Sequence, residues 1–357
     1  ARLMVGVKAD GYGHGAVEVS KTALSNGADA LGVARLEEGI VLRRAGISAP
    51  ILIFGYTLPK LADALIDYDL IQTVYEVDTA KQLSAFVSGR NKTLKIHIKV
   101  DTGMGRLGML SPDHPENRLD VKYTGNTLSD IKKITRFSGL ELKGIFTHFA
   151  SSDNKDKSKA EFQFKRFIKL LDDLKSEGVS ISLRHAANSG AIIDMPHTHL
   201  DMVRAGISFY GLYPSFEVSQ NRIQLMPAMS LKAKVIHVKA VPSNFAVSYN
   251  STWKSSAKTA IATVPVGYGD GFSRAFSNCG QMLVHGERAP IVGRVCMDLT
   301  LLDVGHIPHV KIGDEVVIFG RQKDRVLSVD DLANCIDTIN YEIVSALTAR
   351  VPRVYLK

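Results

Sequence analysis

Over the first two hundred residues, short runs of β-branched and aliphatic residues alternate with stretches whose apolar positions recur every three or four residues. Such runs predict strands buried on both faces, and the stretches between them predict helices with one apolar stripe. The predicted strands cover 3–7, 30–34, 51–54, 70–74, 94–100, 142–147, 181–184 and 202–205. Helical stripes lie between them, as in Ala16, Val17, Val19, Ala23 and Leu24, with Gly27 where a C-terminal cap belongs. Eight such units predict an α/β fold, a closed (β/α)8 barrel of the TIM type. The polar, Pro-, Asn- and Gly-containing segment 111–126 breaks the rhythm and reads as a surface insertion between units five and six.

Beyond Tyr213 the runs lengthen and alternate, at 229–241, 259–265, 291–295 and 315–319, with glycine and proline between them. This predicts a mostly β C-terminal domain over 214–357 after a barrel over 1–213. Helical patterns follow at 328–336 and 341–349, with Asp330 and Asp331 as acids for a first turn.

A length of 357 residues agrees with two domains. No apolar run approaches the roughly 18 residues of a membrane span, and no signal-peptide pattern opens the chain, so a soluble, cytoplasmic protein is expected. The net charge of +8 comes from dispersed residues. Its densest runs, Lys155 to Lys159 and Lys165 to Lys169, alternate with acids and apolar residues, so neither nucleic acid nor a membrane is an expected partner. Cys279, Cys296 and Cys335 lie far apart without C-x-x-C spacing, which suggests no disulfide framework and a reducing compartment. His197 and His199 lack neighbouring cysteines or acids at ligand spacing, so no metal is expected.

Barrel enzymes carry their chemistry at the C-terminal ends of strands. Polar residues gather there: Lys8 after strand one, Lys99, Asp101 and Arg106 on and after strand five, His148 after strand six, His185, Asn188 and Ser189 after strand seven, and Arg204 on strand eight. Lys8 ends an apolar run, where an unpaired ammonium would cost several kcal/mol, and such lysines tend to be neutralised or used covalently. Asp10-Gly11-Tyr12-Gly13-His14-Gly15 also suggests a dinucleotide-binding loop, but its spacing is G-x-G-x-G and the units around it suit a closed barrel. Asn188-Ser189-Gly190 and Gly206-Ile207 follow strands seven and eight, where barrels commonly bind phosphate. A reactive lysine facing a phosphate site suggests pyridoxal phosphate.

Val7-Lys8-Ala9-Asp10-Gly11-Tyr12-Gly13-His14-Gly15 resembles the cofactor-lysine motif of the alanine racemase family, and K-V-D-T-G-M-G-R-L-G at 99–108 resembles its second motif. Matches continue in the family's order through Thr147-His148-Phe149-Ala150, 185–189, Val203-Arg204-Ala205-Gly206, 266–271 and Gly293-Arg294-Val295-Cys296-Met297-Asp298. The resemblance implies an amino-acid racemase that interconverts L- and D-alanine, supplies D-alanine for peptidoglycan and acts as a homodimer with shared active sites. It implies pyridoxal 5'-phosphate held covalently by Lys8, with Tyr12, Asn188, Ser189, Gly206 and Ile207 around the phosphate, His148 beside the ring and Arg204 facing the ring nitrogen.

Racemisation requires a proton group on each face of the substrate's Cα. The resemblance assigns one face to Lys8 and the other to Tyr249 of the partner subunit, activated by His185 and Arg204. Arg106 and the Met297 backbone would hold the substrate carboxylate, Tyr268 and Asp298 would line the entrance, and Lys99 matches a lysine carbamylated in many relatives. A plain Lys99 paired to Asp101 is the alternative.

Two departures stand out. Ala349 precedes Arg350-Val351-Pro352-Arg353 where many members have a tyrosine, so a serine or broad-specificity racemase is the alternative. Members also carry about thirty more residues ahead of the lysine motif, so a segment ahead of Ala1 is expected. Decarboxylases of similar design and single-barrel cofactor-binding proteins are the other classes; the motifs disfavour the first and the second domain disfavours the second.

Overall fold

The β-branched runs form strands β1 (Arg2–Gly6), β2 (Ala30–Val33), β3 (Ile51–Ile53), β4 (Ile71–Val74) and β5 (Leu94–Asp101). They continue as β6 (Met109–Leu110), β7 (Leu140–Phe146), β8 (Arg184–His185) and β9 (Met202–Ala205). The computed structural model describes residues 1–90, 92–111 and 126–356. The insertion expected at 111–126 therefore lies, but for its end residues, outside the described residues.

Eight strands pair in parallel in the order β8-β7-β5-β4-β3-β2-β1-β9, and β6 adds to the end of β5. Backbone bonds from Asp201 N–H to the Arg184 carbonyl (3.1 Å) and from Arg204 N–H to the Ala187 carbonyl (3.0 Å) join the two ends. The result is a nearly closed barrel, as the strand count predicts. Helices cover it with single apolar stripes. Ser158–Ser176 buries Ala160, Phe167, Leu170, Leu171 and Leu174 against the sheet, and truncating one of these leucines to alanine would cost about 2–5 kcal/mol.

The seventh strand begins three residues later than the pattern at 181–184 predicts, because Asp201 fixes it there. Its Oδ2 accepts the Arg184 backbone N–H at 2.8 Å and the side-chain Nε–H at 2.7 Å.

The rest of the chain is mostly β: β10 (Leu231–Lys234), β11 (His237–Val241), β12 (Ala246–Val247), β13 (Trp253–Lys254), β14 (Thr259–Val264), β15 (Gln281–Val284), β16 (Glu287–Pro290), β17 (Thr300–Asp303), β18 (Glu315–Gln322) and β19 (Arg325–Leu327). β10-β18-β15-β16 form one sheet with β19 on β18, β11-β14-β17 form a second, and β12-β13 form a hairpin. The run 229–241 is thus two strands in two sheets. The run 291–295 is not a strand; only Ile291 bridges Leu302, and Gly293 turns the chain at φ 74°. Ser328 caps the helix Val329–Cys335 through a bond from Asp331 N–H, and the last helix is Asn340–Ser345.

The chain divides into two compact units, Ala1–Gly11 with Gly15–Met226 and Tyr12–His14 with Pro227–Lys357. No helix among the described residues is long and apolar enough to cross a membrane.

Candidate active site

Lys8 leaves β1 into a turn that ordinary L-residues avoid. Ala9, Asp10, Gly11 and Tyr12 all have φ between 51° and 61°, and Gly13 follows at 80°. A left-handed run costs roughly 1–2 kcal/mol per non-glycine residue, so other bonds must fix it. Glu38 does so: its Oε1 accepts the Ala9 N–H at 2.7 Å, and its Oε2 accepts the Ala34 N–H at 2.6 Å. Asp10 Oδ1 accepts the Ala16 N–H at 2.9 Å. Lys8 is half-buried, and burial first, then the charge of Arg106, lowers its pKa, against a smaller opposing effect of Glu38. An amine so placed gives up its proton more readily than a surface lysine.

Strand register then builds a polar chain inside the barrel. Residues His97 and Lys99 of β5 stand beside Gly144 and Phe146 of β7, and Phe146 stands beside His185 of β8. A Cβ on Gly144 would come within 2.8 Å of the His97 ring, so only glycine lets that ring lie across β7. His97 Nδ1 thereby reaches His185 Nε2 at 3.0 Å. Phe146 stacks on His185 with centroids 4.8 Å apart, and the Arg204 guanidinium and Lys99 ammonium lie 5.3 and 5.7 Å from its centroid.

Arg204, 6% exposed, orders this chain. Its Nη1 donates to His185 Nδ1 at 2.9 Å, and its Nη2 donates to the Thr147 and Ala186 carbonyls at 2.8 and 2.9 Å and to His148 Nδ1 at 3.3 Å. A guanidinium only donates, so both imidazoles accept at Nδ1 and carry their proton on Nε2. His185 then donates to His97 Nδ1. Burial, followed by the charge of Arg204, pushes His97 down to about 3 and holds His185 and His148 well below the usual histidine value. All three are neutral near pH 7. Arg204 itself is pulled down by burial to about 9, and it has no carboxylate partner among the described residues.

Two further groups have a single evident task. Asp101 accepts the N–H groups of Gly103, Met104 and Gly105 at Oδ1 and of Arg106 at Oδ2, 2.8–3.1 Å away, which shapes the loop and sets the root of exposed Arg106. Its carboxylate is thus taken up by its own loop and forms no ion pair with Lys99. Burial, ahead of the charges of Arg106 and Arg204, lowers Lys99 to about 8. Ser189 Oγ accepts from Gly206 N–H (3.0 Å), Ser208 N–H (3.3 Å) and Ser208 Oγ (3.0 Å). Three donors on one hydroxyl oxygen exceed its two lone pairs, leaving a donor-rich cradle. Ile207 starts the short helical turn that follows. Asn188 Oδ1 caps the next helix by accepting the Ala191 N–H at 3.2 Å. His197 pairs with Glu161, His199 bonds the Ile192 carbonyl, and no metal-holding cluster occurs among the described residues.

In the second unit, Tyr249 caps the β12-β13 hairpin and is 68% exposed. Ser248, Asn250 and Ser251 have φ of 63°, 60° and 47°, a strain of the kind that clusters at functional sites. Ser248 Oγ donates to the Arg294 carbonyl at 2.7 Å, tying this tip to the loop that carries Met297. Met297, 53% exposed, accepts the Gly269 N–H at its carbonyl (2.8 Å), and its own N–H has no acceptor among the described residues. Asp298 bonds Arg350 Nη2 at 2.6 Å, and Tyr268 is exposed beside Gly269. Tyr12 is half-buried, its phenol pushed up to about 12 by burial, and its ring lies 6.2 Å from that of Tyr341.

Four contributors escape a reading of the sequence: Glu38, His97, Phe146 and Ser208. Only His97 leaves a trace there, as a polar residue two before Lys99 in a buried strand.

Family profiles of the alanine racemase N-terminal and C-terminal domains match residues 1–214 and 228–355. An alanine racemase of Desulfosudis oleivorans is 49% identical over 99% of this chain and 90% of its own length. One from Methanococcus maripaludis is 47% identical over 100% of this chain and 92% of its own. Among solved structures, an alanine racemase from Clostridium difficile superposes with a TM-score of 0.91 at 37% identity, covering 99% of this chain and 89% of the other. A histidine racemase from Leuconostoc mesenteroides superposes at 0.89 with 27% identity, covering 100% and 91%.

Proposed function

The chain belongs to the alanine racemase family, and from that premise we propose that it interconverts L- and D-alanine with Lys8 and Tyr249 as its two proton-transfer groups. It is an isomerase, an amino-acid racemase. The observation that carries the proposal is Arg204, a buried cation set between neutral histidines with no carboxylate beside it among the described residues.

Such a cation calls for an acceptor, the cradle at Ser189 for an anion, and the acidified amine of Lys8 for a carbonyl. Pyridoxal 5'-phosphate offers all three: a ring nitrogen, a phosphate and an aldehyde. Lys8 would hold it covalently, Tyr12, Ser189, Gly206 and Ile207 would bind the phosphate, with Asn188 positioning the helix behind them, and His148 would lie beside the ring. When bound, the group supplies an electrophilic carbon for the substrate amine and a sink for the electrons left on Cα.

The chain's own groups supply the rest. Lys8 Nζ takes or returns the Cα proton on one face, and Tyr249 Oη does so on the other. Arg106 and the Met297 N–H hold the carboxylate, while Tyr268 and Asp298 border the way in. Arg204 at about 9 stays charged near neutral pH, so it would donate to the ring nitrogen without giving up its proton, and its charge would disfavour protonation there, which would limit transamination. Lys99 at about 8 is partly neutral near pH 7.5, the form that adds carbon dioxide to become an anion able to orient Arg106. The exposure of Tyr249 and Met297 supports their working in a homodimer, each serving the partner's barrel. The product D-alanine would feed peptidoglycan in the cytoplasm.

Ala349, exposed at the turn before Arg350, favours serine or broader substrates as the second reading. Racemisation of L-alanine and L-serine by the same preparation decides between them: alanine is expected to have the higher kcat/KM, and a higher value for serine overturns the narrow assignment. Borohydride is expected to abolish an absorbance near the visible edge and to leave its label on Lys8.

A further inference from the structure

Of three cysteines that lie far apart in the sequence, two meet in the fold. Cys335 ends the helix Val329–Cys335, and Cys279 follows the turn Arg274–Phe276, 56 positions earlier. Their sulfurs are 3.0 Å apart. The contact is directional, because Cys335 Sγ–H donates to Cys279 Sγ while Cys279 Sγ–H donates to the Ala275 carbonyl at 3.3 Å. A disulfide requires the sulfurs to close to about 2.05 Å, an approach of about 1 Å from that separation. Cys296 stands elsewhere, 3.6 Å from Ser248 Oγ.

The surroundings hold the pair in place. Gly280 N–H bonds the Phe276 carbonyl at 3.0 Å, and Ile291 N–H bonds the Gly280 carbonyl at 2.8 Å, so the Cys279 segment is pinned on its C-terminal side. Asn278 accepts the Gly293 N–H at 2.6 Å and donates to Thr252 Oγ1 at 3.2 Å. On the other side the capped helix holds Cys335. Phe276 of the first support and Leu332 and Ile336 of the second share the lining of a cavity of about 250 Å³.

We infer that Cys279 and Cys335 form a modification site, an intrachain dithiol that closes reversibly to a disulfide on exchange with low-molecular-weight disulfides such as oxidised glutathione. Cys279 is exposed, so its thiolate reaches the incoming disulfide first. It bonds one sulfur and releases the other as a thiolate. The Cys335 sulfur then attacks Cys279 Sγ, the mixed disulfide breaks, and the second small thiol leaves with the Cys335 proton. One disulfide is reduced to two thiols while two cysteine thiols are oxidised to one disulfide. Burial, then the bond to Cys279, raises the Cys335 thiol to about 12, which keeps it protonated near neutral pH and leaves the first attack to Cys279. The bridge would staple the last helices to the segment that supports Thr252 and Gly293. This rests on the thiol geometry alone and not on the catalytic roles proposed above.

The test treats the full chain with excess oxidised glutathione, alkylates the remaining thiols and maps the peptides. The expected result is a 279–335 linkage within one chain, with Cys296 still alkylated, and a melting temperature raised by roughly 5 °C that dithiothreitol reverses. Cys335→Ser is expected to stop at a stable glutathione adduct on Cys279. Cys279 and Cys335 alkylated separately in the treated wild type, or a bridge found only between chains, would overturn the inference.

Discussion

The barrel mouth and the Tyr249 hairpin hold their polar groups by opposite means. In the barrel, side chains fix one another: Arg204 sets the tautomers of His148 and His185, His185 sets that of His97, and burial keeps all three histidines neutral. At the hairpin, the backbone does the fixing, since an exposed phenol is aimed by three residues held at positive φ and by a bond from Ser248 to Arg294. A preorganised interior makes charge costly to misplace, whereas a strained tip makes direction costly to misplace. Substitutions should therefore damage stability and chemistry together in the barrel, and chemistry alone at the hairpin.

The largest expected effect is at Lys8. Lys8→Ala is expected to lower racemase kcat by roughly 10⁴-fold and to abolish the borohydride-sensitive absorbance. Tyr249→Phe removes only an exposed hydroxyl. Its kcat is expected to fall roughly 10²- to 10³-fold, with the absorbance and the melting temperature unchanged. Unimpaired racemisation by Tyr249→Phe would remove the hairpin from the chemistry altogether. Mixing the two inactive variants under conditions of subunit exchange sharpens the comparison. If each barrel uses its partner's hairpin, half the dimers are mixed and each has one intact site, so about a quarter of the wild-type activity returns. No recovery from a verified mixed dimer would place Lys8 and Tyr249 of one chain in the same site.

The barrel was the more legible of the two regions. Strands buried on both faces must be apolar throughout, and Lys8 was conspicuous because it interrupts that rule. The contributors that escaped notice depend on register. Phe146 matters because β7 places it beside Lys99 and His185, and His97 matters because Gly144 makes room for its ring. Periodicity within one strand says nothing about which residue stands beside it. In the β-rich unit the same gap cost a strand: 291–295 is apolar enough, but Gly293 turns it away. Tyr249 was found by resemblance alone, because a tyrosine between two short strands has no pattern of its own.

Arg204→Met tests the barrel's interior directly. The change keeps length and removes charge, and it leaves the Thr147 and Ala186 carbonyls and two imidazole Nδ1 atoms without their donor. A loss of about 3 kcal/mol of stability is expected, read as a lowered denaturant midpoint, together with a loss of activity. A variant as stable as the wild type would show that the network does not depend on its cation. The same network predicts easier protonation in this variant, since burial, the larger cause, still depresses His148 and His185 but the charge of Arg204 no longer adds to it.

The intact protein should itself depend on acid, and the sign of that dependence follows from the histidines. His97, His148 and His185 titrate below their unfolded value of about 6.5, His97 near 3. Between those values the unfolded chain binds protons that the folded barrel excludes, so stability is full above about pH 6.5 and falls as pH drops below it. Each buried histidine contributes about 1.4 kcal/mol per pH unit across that window. Denaturant midpoints measured from pH 7 to pH 5 should fall steadily, and hydrogen exchange should show the loss in β5, β7 and β8 before the β12-β13 hairpin, whose residues include no histidine. A midpoint flat across this range would mean that the imidazoles take up protons as readily in the folded barrel as in the unfolded chain, and the barrel would then be no more rigidly polarised than the exposed tip.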